Sequence, residues 1–344
     1  MTAYIIFVLL VFFIIFGVVK YSLNTTYLLV FIVSSLFLGL RYNVGIDYGN
    51  YLQYMERFVD GKFVDNKEFL FDKVVQFSYI VLGDEKYSFY IFGCFFLIPL
   101  FIGMRRCCGN HTIGLLIFLL FPIFYLAAFN SVRQFISVGF FVFSLSYIIN
   151  RSFVKYTITI LFAALFHKSV LLIYPVYFFL NNSFSVKKLL LFIVAYIVFV
   201  KYMIFPFIVL MGFKEKLFMF ENTGVNYKSL IFVVFTIGMF LFSREYKRHF
   251  NDYNLLVNMM IIASIILVTP MLSSELPSSP ILRMSSYFTP ALIIYFSKLV
   301  LLFNNKDQRL LVQFFIISVS LLYFYSAISN GSSNLLTPYN TYIF

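Results

Sequence analysis

From its second residue the chain runs as one apolar stretch after another, each nearly free of charge. Few folds accommodate such a pattern. In hydrocarbon every backbone polar group must be satisfied internally, so only helices or a closed barrel persist. The period-2 alternation of a barrel strand is absent. With 62% hydrophobic and 12% charged residues, the pattern predicts an all-α, polytopic integral membrane protein. Twelve spans are expected, at 3–19, 26–40, 87–104, 112–129, 134–149, 153–166, 169–180, 189–210, 229–243, 255–271, 284–303 and 310–328. They form one transmembrane domain over 1–344, with no internal repeat and no separate soluble part. Residues 3–19 lack a basic leader and a small-residue cleavage site, so they are read as a retained first span. Several spans reach only about 14 residues, roughly 21 Å of helix against a core of about 30 Å. That shortfall predicts thinned bilayer, broken helices or a cavity into which loops dip.

Charge sets the orientation. One set of loops carries twelve lysines and arginines, among them Lys20, Arg105, Arg106, Arg151 and Arg248, against the acids Glu245, Asp252 and Asp307. That side is cytoplasmic by the positive-inside rule. The net charge of +12 is read as this asymmetry and not as a nucleic-acid footprint. Both termini, the main loop 41–86, Arg133, His167 and Arg283 then lie outside the cytoplasm. Cys94 falls inside a span and Cys107 and Cys108 are neighbours, so no disulfide framework is implied.

Chemistry-bearing residues collect on the external side. Ser131 and Gln134 fit an S-x-x-Q capping box, which places Arg133 in the first turn of a helix beside free N–H groups, a setting that suits an anion. His167 and Lys168 interrupt otherwise apolar sequence at a turn between two spans. A histidine there is a general base or a phosphate ligand, or simply a hydrogen-bonded structural residue. Lys168 would favour the neutral imidazole by like-charge repulsion. Arg41, Arg133 and Arg283 each stand at the external end of a span; they share an anion site or serve as interfacial anchors. Gly45 is read as a turn residue, and Asp47 as a second candidate base or the N-cap of a helix from Tyr48. Tyr48 and Tyr51 are sugar-stacking platforms or part of an aromatic belt. Residues 68–82 read as an amphipathic helix at the membrane surface or a partial re-entrant segment, and 211–228 as a smaller external element of the same kind. No ligand spacing for a metal and no Walker, Rossmann or kinase signature is present, so no metal or cofactor is expected.

Arg41-x-x-x-Gly45-x-Asp47-Tyr48-x-x-Tyr51, Arg133-Gln134 opening a span, Phe166-His167 ending one, Arg283 with Tyr287-Phe288, and Pro338-Tyr339 together resemble the EpsG-like family of Wzy-type polymerases of O-antigen, capsule and exopolysaccharide. The resemblance extends over most of the chain. It implies a GT-C-like glycosyltransferase of the bacterial inner membrane, acting at the periplasmic face without metal or nucleotide sugar. Its substrate would be an undecaprenyl-diphosphate-linked oligosaccharide, from which a growing glycan is moved onto another lipid-linked repeat unit. Membrane lipid and a chain-length regulator protein are the implied partners. On this reading Arg41, Arg133 and Arg283, with Gln134 and Lys168, hold the diphosphates. His167, or failing it Asp47, is the base, and Tyr48 and Tyr51 touch the glycan. The rivals are a flippase for the same lipid-linked units, an O-antigen ligase and a membrane O-acetyltransferase. The ligase typically has its large external loop late in the chain, whereas here it comes early. A flippase needs a cationic lumen open to both faces, whereas these arginines lie on one.

Overall fold

The computed structural model describes residues 1–19, 21–62, 68–183, 230–272, 282–330 and 335–342, together with Val198 and Tyr202. The described chain is almost entirely helical and packs as two compact units, Met1–Pro175 with Ile293–Phe344, and Val176–Leu292.

In the first unit, α1 (Thr2–Val18) and α2 (Leu23–Gly39) lead to a two-residue strand, β1 (Arg41–Tyr42). The expected external loop supplies α3 (Tyr48–Val59) and α4 (Phe69–Leu82). Then come α5 (Ser88–Cys107), α6 (His111–Leu120), α7 (Val132–Ile149) and α8 (Phe153–Ala164). Local signals explain the boundaries. Asn110 caps α6 by accepting from the Ile113 N–H, and α6 stops where Phe121-Pro122 follows. Gly83 ends α4 in the left-handed conformation.

Helix α5 is the axis of this unit, and small residues let its neighbours close in. A Cβ added at Gly103 would lie 2.7 Å from the Val142 backbone, and one at Gly139 would lie 2.4 Å from the Phe96 carbonyl. The α5 and α7 backbones therefore touch, the packing mode by which helices associate without a hydrophobic driving force. Helix α4 docks through Phe71, stacked on Phe92 at 4.5 Å. The Tyr54 hydroxyl donates to Asp72 at 2.5 Å and ties α3 to α4.

At the end bearing Arg105 and Arg106, the Gly109 and Asn110 N–H groups donate to Ser297, and Arg106 lies 4.5 Å over the Phe143 ring. At the other end the chain terminus returns. Strand β2 (Asn340–Thr341) pairs antiparallel with β1, Arg41 opposite Thr341. The Tyr339 ring stacks on Phe37 at 4.2 Å. A long helix, Lys306–Ser329, carries Leu311, Phe314, Phe315 and Leu322 well exposed; lipid tails solvate such a face at no cost.

In the second unit, Leu230–Leu241, Ser243–His249 and Tyr253–Leu272 are helical. The first and third are joined by the Thr236 and Ser264 hydroxyls at 2.9 Å. Asn258 donates to the carbonyls of Leu180 and Asn182.

Among the described residues, four helices are long and apolar enough to cross a membrane: Glu85–Cys107, Val132–Ile149, Leu282–Leu302 and Lys306–Ser329. Seven more apolar helices have 10–17 residues. The chain thus has the helices of a membrane protein, while a count of twelve spans goes beyond these helices. Three expected spans are irregular. Residues 112–129 hold α6, the break at Pro122 and a 3₁₀ turn at Leu126–Phe129, 169–180 coincide with a 3₁₀ helix, Lys168–Phe178, that contains Pro175, and 284–303 hold 3₁₀ turns at Ser285–Tyr287 and Val300–Leu302 on either side of the α-helix Ala291–Leu299. In the first, Pro122 withholds an N–H just past the end of α6. The expected span 189–210 and the element at 211–228 lie outside the described residues.

Candidate functional site

Three side chains from separate helix ends meet in the first unit. Glu68 stands at the N-cap position of α4, yet its carboxylate does not cap the helix. One oxygen, Oε2, accepts from Arg133 Nη1 at 2.6 Å, and the other, Oε1, lies 3.2 Å from His167 Nδ1. Arg133 comes from the first turn of α7, and His167 from the turn between α8 and the following 3₁₀ helix. Backbone contacts fix this meeting. The Leu70 N–H donates to the Leu165 carbonyl at 3.0 Å, and the His167 N–H to that of Ala163 at 3.1 Å. Ser137 of α7 also donates to Ala163. Phe166 packs against Phe95 and Phe140.

Glu68 is only 7% exposed. Burial alone would raise its pKa, but the hydrogen bond from His167 and the charge and hydrogen bond of Arg133 outweigh it and hold the carboxyl below its ordinary value. The group is therefore ionised at neutral pH. Its native pKa lies below the unfolded one, so it stabilises the fold above the ordinary carboxylate range, and that contribution is lost as the pH falls through the lowered native value. The Arg133 guanidinium lies between the rings of Tyr51 at 5.9 Å and Phe71 at 5.7 Å. Its Nε is buried without a hydrogen-bond partner among the described residues.

Arg41 is handled differently. It is 0% exposed, and its Nε and Nη1 have no hydrogen-bond partner among the described residues. The guanidinium faces the rings of Phe89 at 5.2 Å and Phe129 at 4.8 Å. It borders a cavity of about 10 Å³ lined also by Phe92, Gly93, Val132 and Phe135, roughly the room for one water. Burial lowers its pKa to about 10, against the opposing pull of Tyr48 and other tyrosines. It remains a cation at neutrality.

The rest of the R-x-x-x-G-x-D-Y stretch wraps around Arg41. Gly45 has φ +102, and a Cβ there would lie 2.6 Å from the Phe129 carbonyl, so the turn read in the sequence needs glycine twice over. The Ile46 N–H donates to the Asn130 side chain at 2.7 Å. Tyr48 is buried, stacked on Phe89 at 4.8 Å, with its hydroxyl on that of Tyr342. The stacking surface read for a sugar is thus already occupied. Asp47 holds the N-cap position of α3 without capping it through its side chain.

The fold brings Arg133 and His167 together, as the sequence suggested, with Tyr51 beside Arg133. Ser131 is the N-cap residue of α7, but its side chain makes no cap bond; the expected capping box is not formed. Gln134 is buried, and Lys168 is exposed. Arg283 is an exposed residue of the second unit. Sequence reasoning missed Glu68, which opens the stretch 68–82 read as amphipathic. The available signal was an acid at the very start of that helix. Among the described residues no group of three or more His, Cys, Asp or Glu side chains is placed to hold a metal ion.

Comparison with known proteins adds one finding. No curated protein and no solved structure matches the chain. The EpsG family model, by contrast, matches residues 24–341, a range that takes in α2 through β2 and every residue of the site. The chain belongs to the EpsG family.

Proposed function

We propose that this protein is a polysaccharide polymerase. It moves a growing glycan from undecaprenyl diphosphate onto the terminal sugar of another lipid-linked repeat unit, at the periplasmic face of the bacterial inner membrane and in a GT-C-like helical frame. EpsG family membership suggests a polymerase-type function. The observation that carries the reaction is the placement of Arg133 and His167 on one carboxylate.

In the transfer, an acceptor hydroxyl oxygen bonds to the anomeric carbon, and the bond from that carbon to the diphosphate oxygen breaks. His167 takes the hydroxyl proton, and the lipid diphosphate leaves with the bonding pair. Charge grows on the leaving group, and arginines are the residues that stabilise it. Arg133, with N–H groups left over from its bond to Glu68, is the first of these. Arg41 adds a positive charge that no carboxylate cancels. Gln134 and Lys168 are further diphosphate contacts, Tyr51 a glycan contact, and Asp47 the reserve base. The reaction so written needs no metal and no cofactor. A chain-length regulator protein is a partner on this reading.

The test is deletion of the gene in its own strain, with the surface glycan resolved on a gel. A polymerase predicts loss of the ladder with a single repeat unit retained. Loss of all glycan would point to a flippase or ligase and overturn the reading.

A further inference from the structure

The geometry points to Glu68 as the residue that positions the base: its carboxylate fixes the His167 ring with the proton on Nδ1, leaving Nε2 as the atom that accepts the sugar proton. This rests on His167 as the base of the proposed transfer.

An ionised carboxylate can only accept hydrogen bonds. Glu68 is held ionised by Arg133, whose Nη1 sits 2.6 Å from Oε2. The Nδ1 atom 3.2 Å from Oε1 must therefore carry the hydrogen. In the neutral ring the lone pair is then on Nε2, on the side away from Glu68. Once Nε2 has taken a proton, the same carboxylate stabilises the imidazolium. Arg133 keeps Glu68 from acting as the base itself, because a carboxylate held below its ordinary range is a poor proton acceptor at neutral pH. The charged and titratable groups around the ring are Glu68 of α4, Arg133 of α7, Tyr51 of α3 next to Arg133, and the exposed Lys168 beside it in the chain. Among these, Glu68 is the one seen bonded to the imidazole.

The sequence at Glu68 supports a positional role over a capping one. An acid at an N-cap ordinarily satisfies free N–H groups of its own helix. This one makes no such bond and reaches two other helices.

The test uses the full-length protein in lipid nanodiscs with ¹⁵N-labelled histidine. The three histidines give separate ring signals, and His167 is assigned by its absence in His167→Gln. Wherever the ring is neutral, the wild type should show His167 as the single Nδ1–H tautomer. Glu68→Gln keeps the shape, but its amide can present either O or N to the ring, so a mixture of tautomers is expected. No turnover is involved, so this readout stands whatever the reaction proves to be. In the polymerisation assay Glu68→Gln should lower kcat by about 10²–10⁴-fold with little change in KM. Its acid limb should move to lower pH, because the imidazolium has lost its counter-charge. Glu68→Asp, with the carboxylate kept but withdrawn, should recover part of the rate. A pure Nδ1–H ring in Glu68→Gln overturns the inference, as does an acid limb that stays in place while only the amount of folded protein falls.

Discussion

Arg41 and Arg133 stand in equivalent places, each at the end of an apolar segment, and the fold treats their charges in opposite ways. Arg133 is 22% exposed at its side chain and is bonded to a carboxylate. Arg41 is fully enclosed and has ring faces where a counter-ion would be. The accessible guanidinium is therefore locally neutralised, and the inaccessible one is not. Its cavity is lined by Val132, the residue before Arg133. In a low-dielectric surround an uncancelled charge acts over a longer reach than a paired one. On the proposed reading the two arginines divide the work of an anion site. One supplies directed N–H groups, and the other supplies field.

The largest effect expected from this division is at Arg133. Arg133→Ala should abolish the glycan ladder, and Arg133→Lys should keep part of it, since lysine retains charge but not the fork. Arg133→Ala also strands Glu68, and breaking a buried pair costs about 3–5 kcal/mol, so tagged protein should fall as well. Adding Glu68→Gln to Arg133→Gln should restore the amount of protein without restoring the ladder. A normal ladder in Arg133→Ala, at matched protein level, would reduce the arginine to an interfacial anchor.

Next comes His167. His167→Ala should slow transfer by roughly 10²–10⁴-fold while lipid-linked substrate still binds. His167→Gln should do no better, because an amide cannot take a proton at neutral pH. Turnover rates set beside substrate binding give the answer. Rescue by glutamine would make the histidine a purely hydrogen-bonding partner of Glu68.

Much of this was legible in the sequence and some was not, for identifiable reasons. Long apolar runs located the described spans, because a segment that must satisfy its own backbone has little choice but helix. They did not show that 168–178 would form a 3₁₀ helix, since hydropathy reports how apolar a segment is and not the spacing of its backbone hydrogen bonds. Gly45 announced its turn. Glu68 stayed hidden because an amphipathic pattern reports which face is polar but not which distant cation a buried acid will meet, and the meeting depends on α7 and α8. The β1–β2 pairing, two residues at 41–42 with two at 340–341, leaves no local signature at all. Tyr48 looked like a sugar platform for the same reason that it is a good core residue, namely a broad flat ring.

The field side of the comparison is tested by Arg41→Met. Methionine fills a similar shape without charge, and removing a buried cation that has no carboxylate partner is often neutral or stabilising. Folded protein should hold or rise. Loss of the field should raise KM for the lipid diphosphate substrate by about tenfold, with kcat changed less. Collapse of the protein with KM unchanged would mean that Arg41 serves packing alone, and the proposed division of work would fail.

The smallest effect belongs to Arg151, which lies at the far end of α7 and gives the baseline for the other arginines. It is exposed and has φ +53 just beyond the helix. The neighbouring backbone closes that end, with the Ser152 N–H on the Tyr147 carbonyl at 2.8 Å and the Arg151 N–H on that of Ile148 at 3.2 Å. None of these bonds needs the side chain. Alanine carries the same Cβ as arginine, so the cost of the left-handed conformation is unchanged on substitution. Arg151→Ala should leave the ladder intact, because the residue lies at the end of α7 opposite Arg133. Arg151→Gly, freed of the Cβ, should gain up to about 1 kcal/mol, read as a higher unfolding temperature in detergent. If Arg151→Ala reduced polymerisation as much as Arg41→Met, a general dependence on basic charge would explain both, and the contrast between a field-supplying and a bond-supplying arginine would lose its basis.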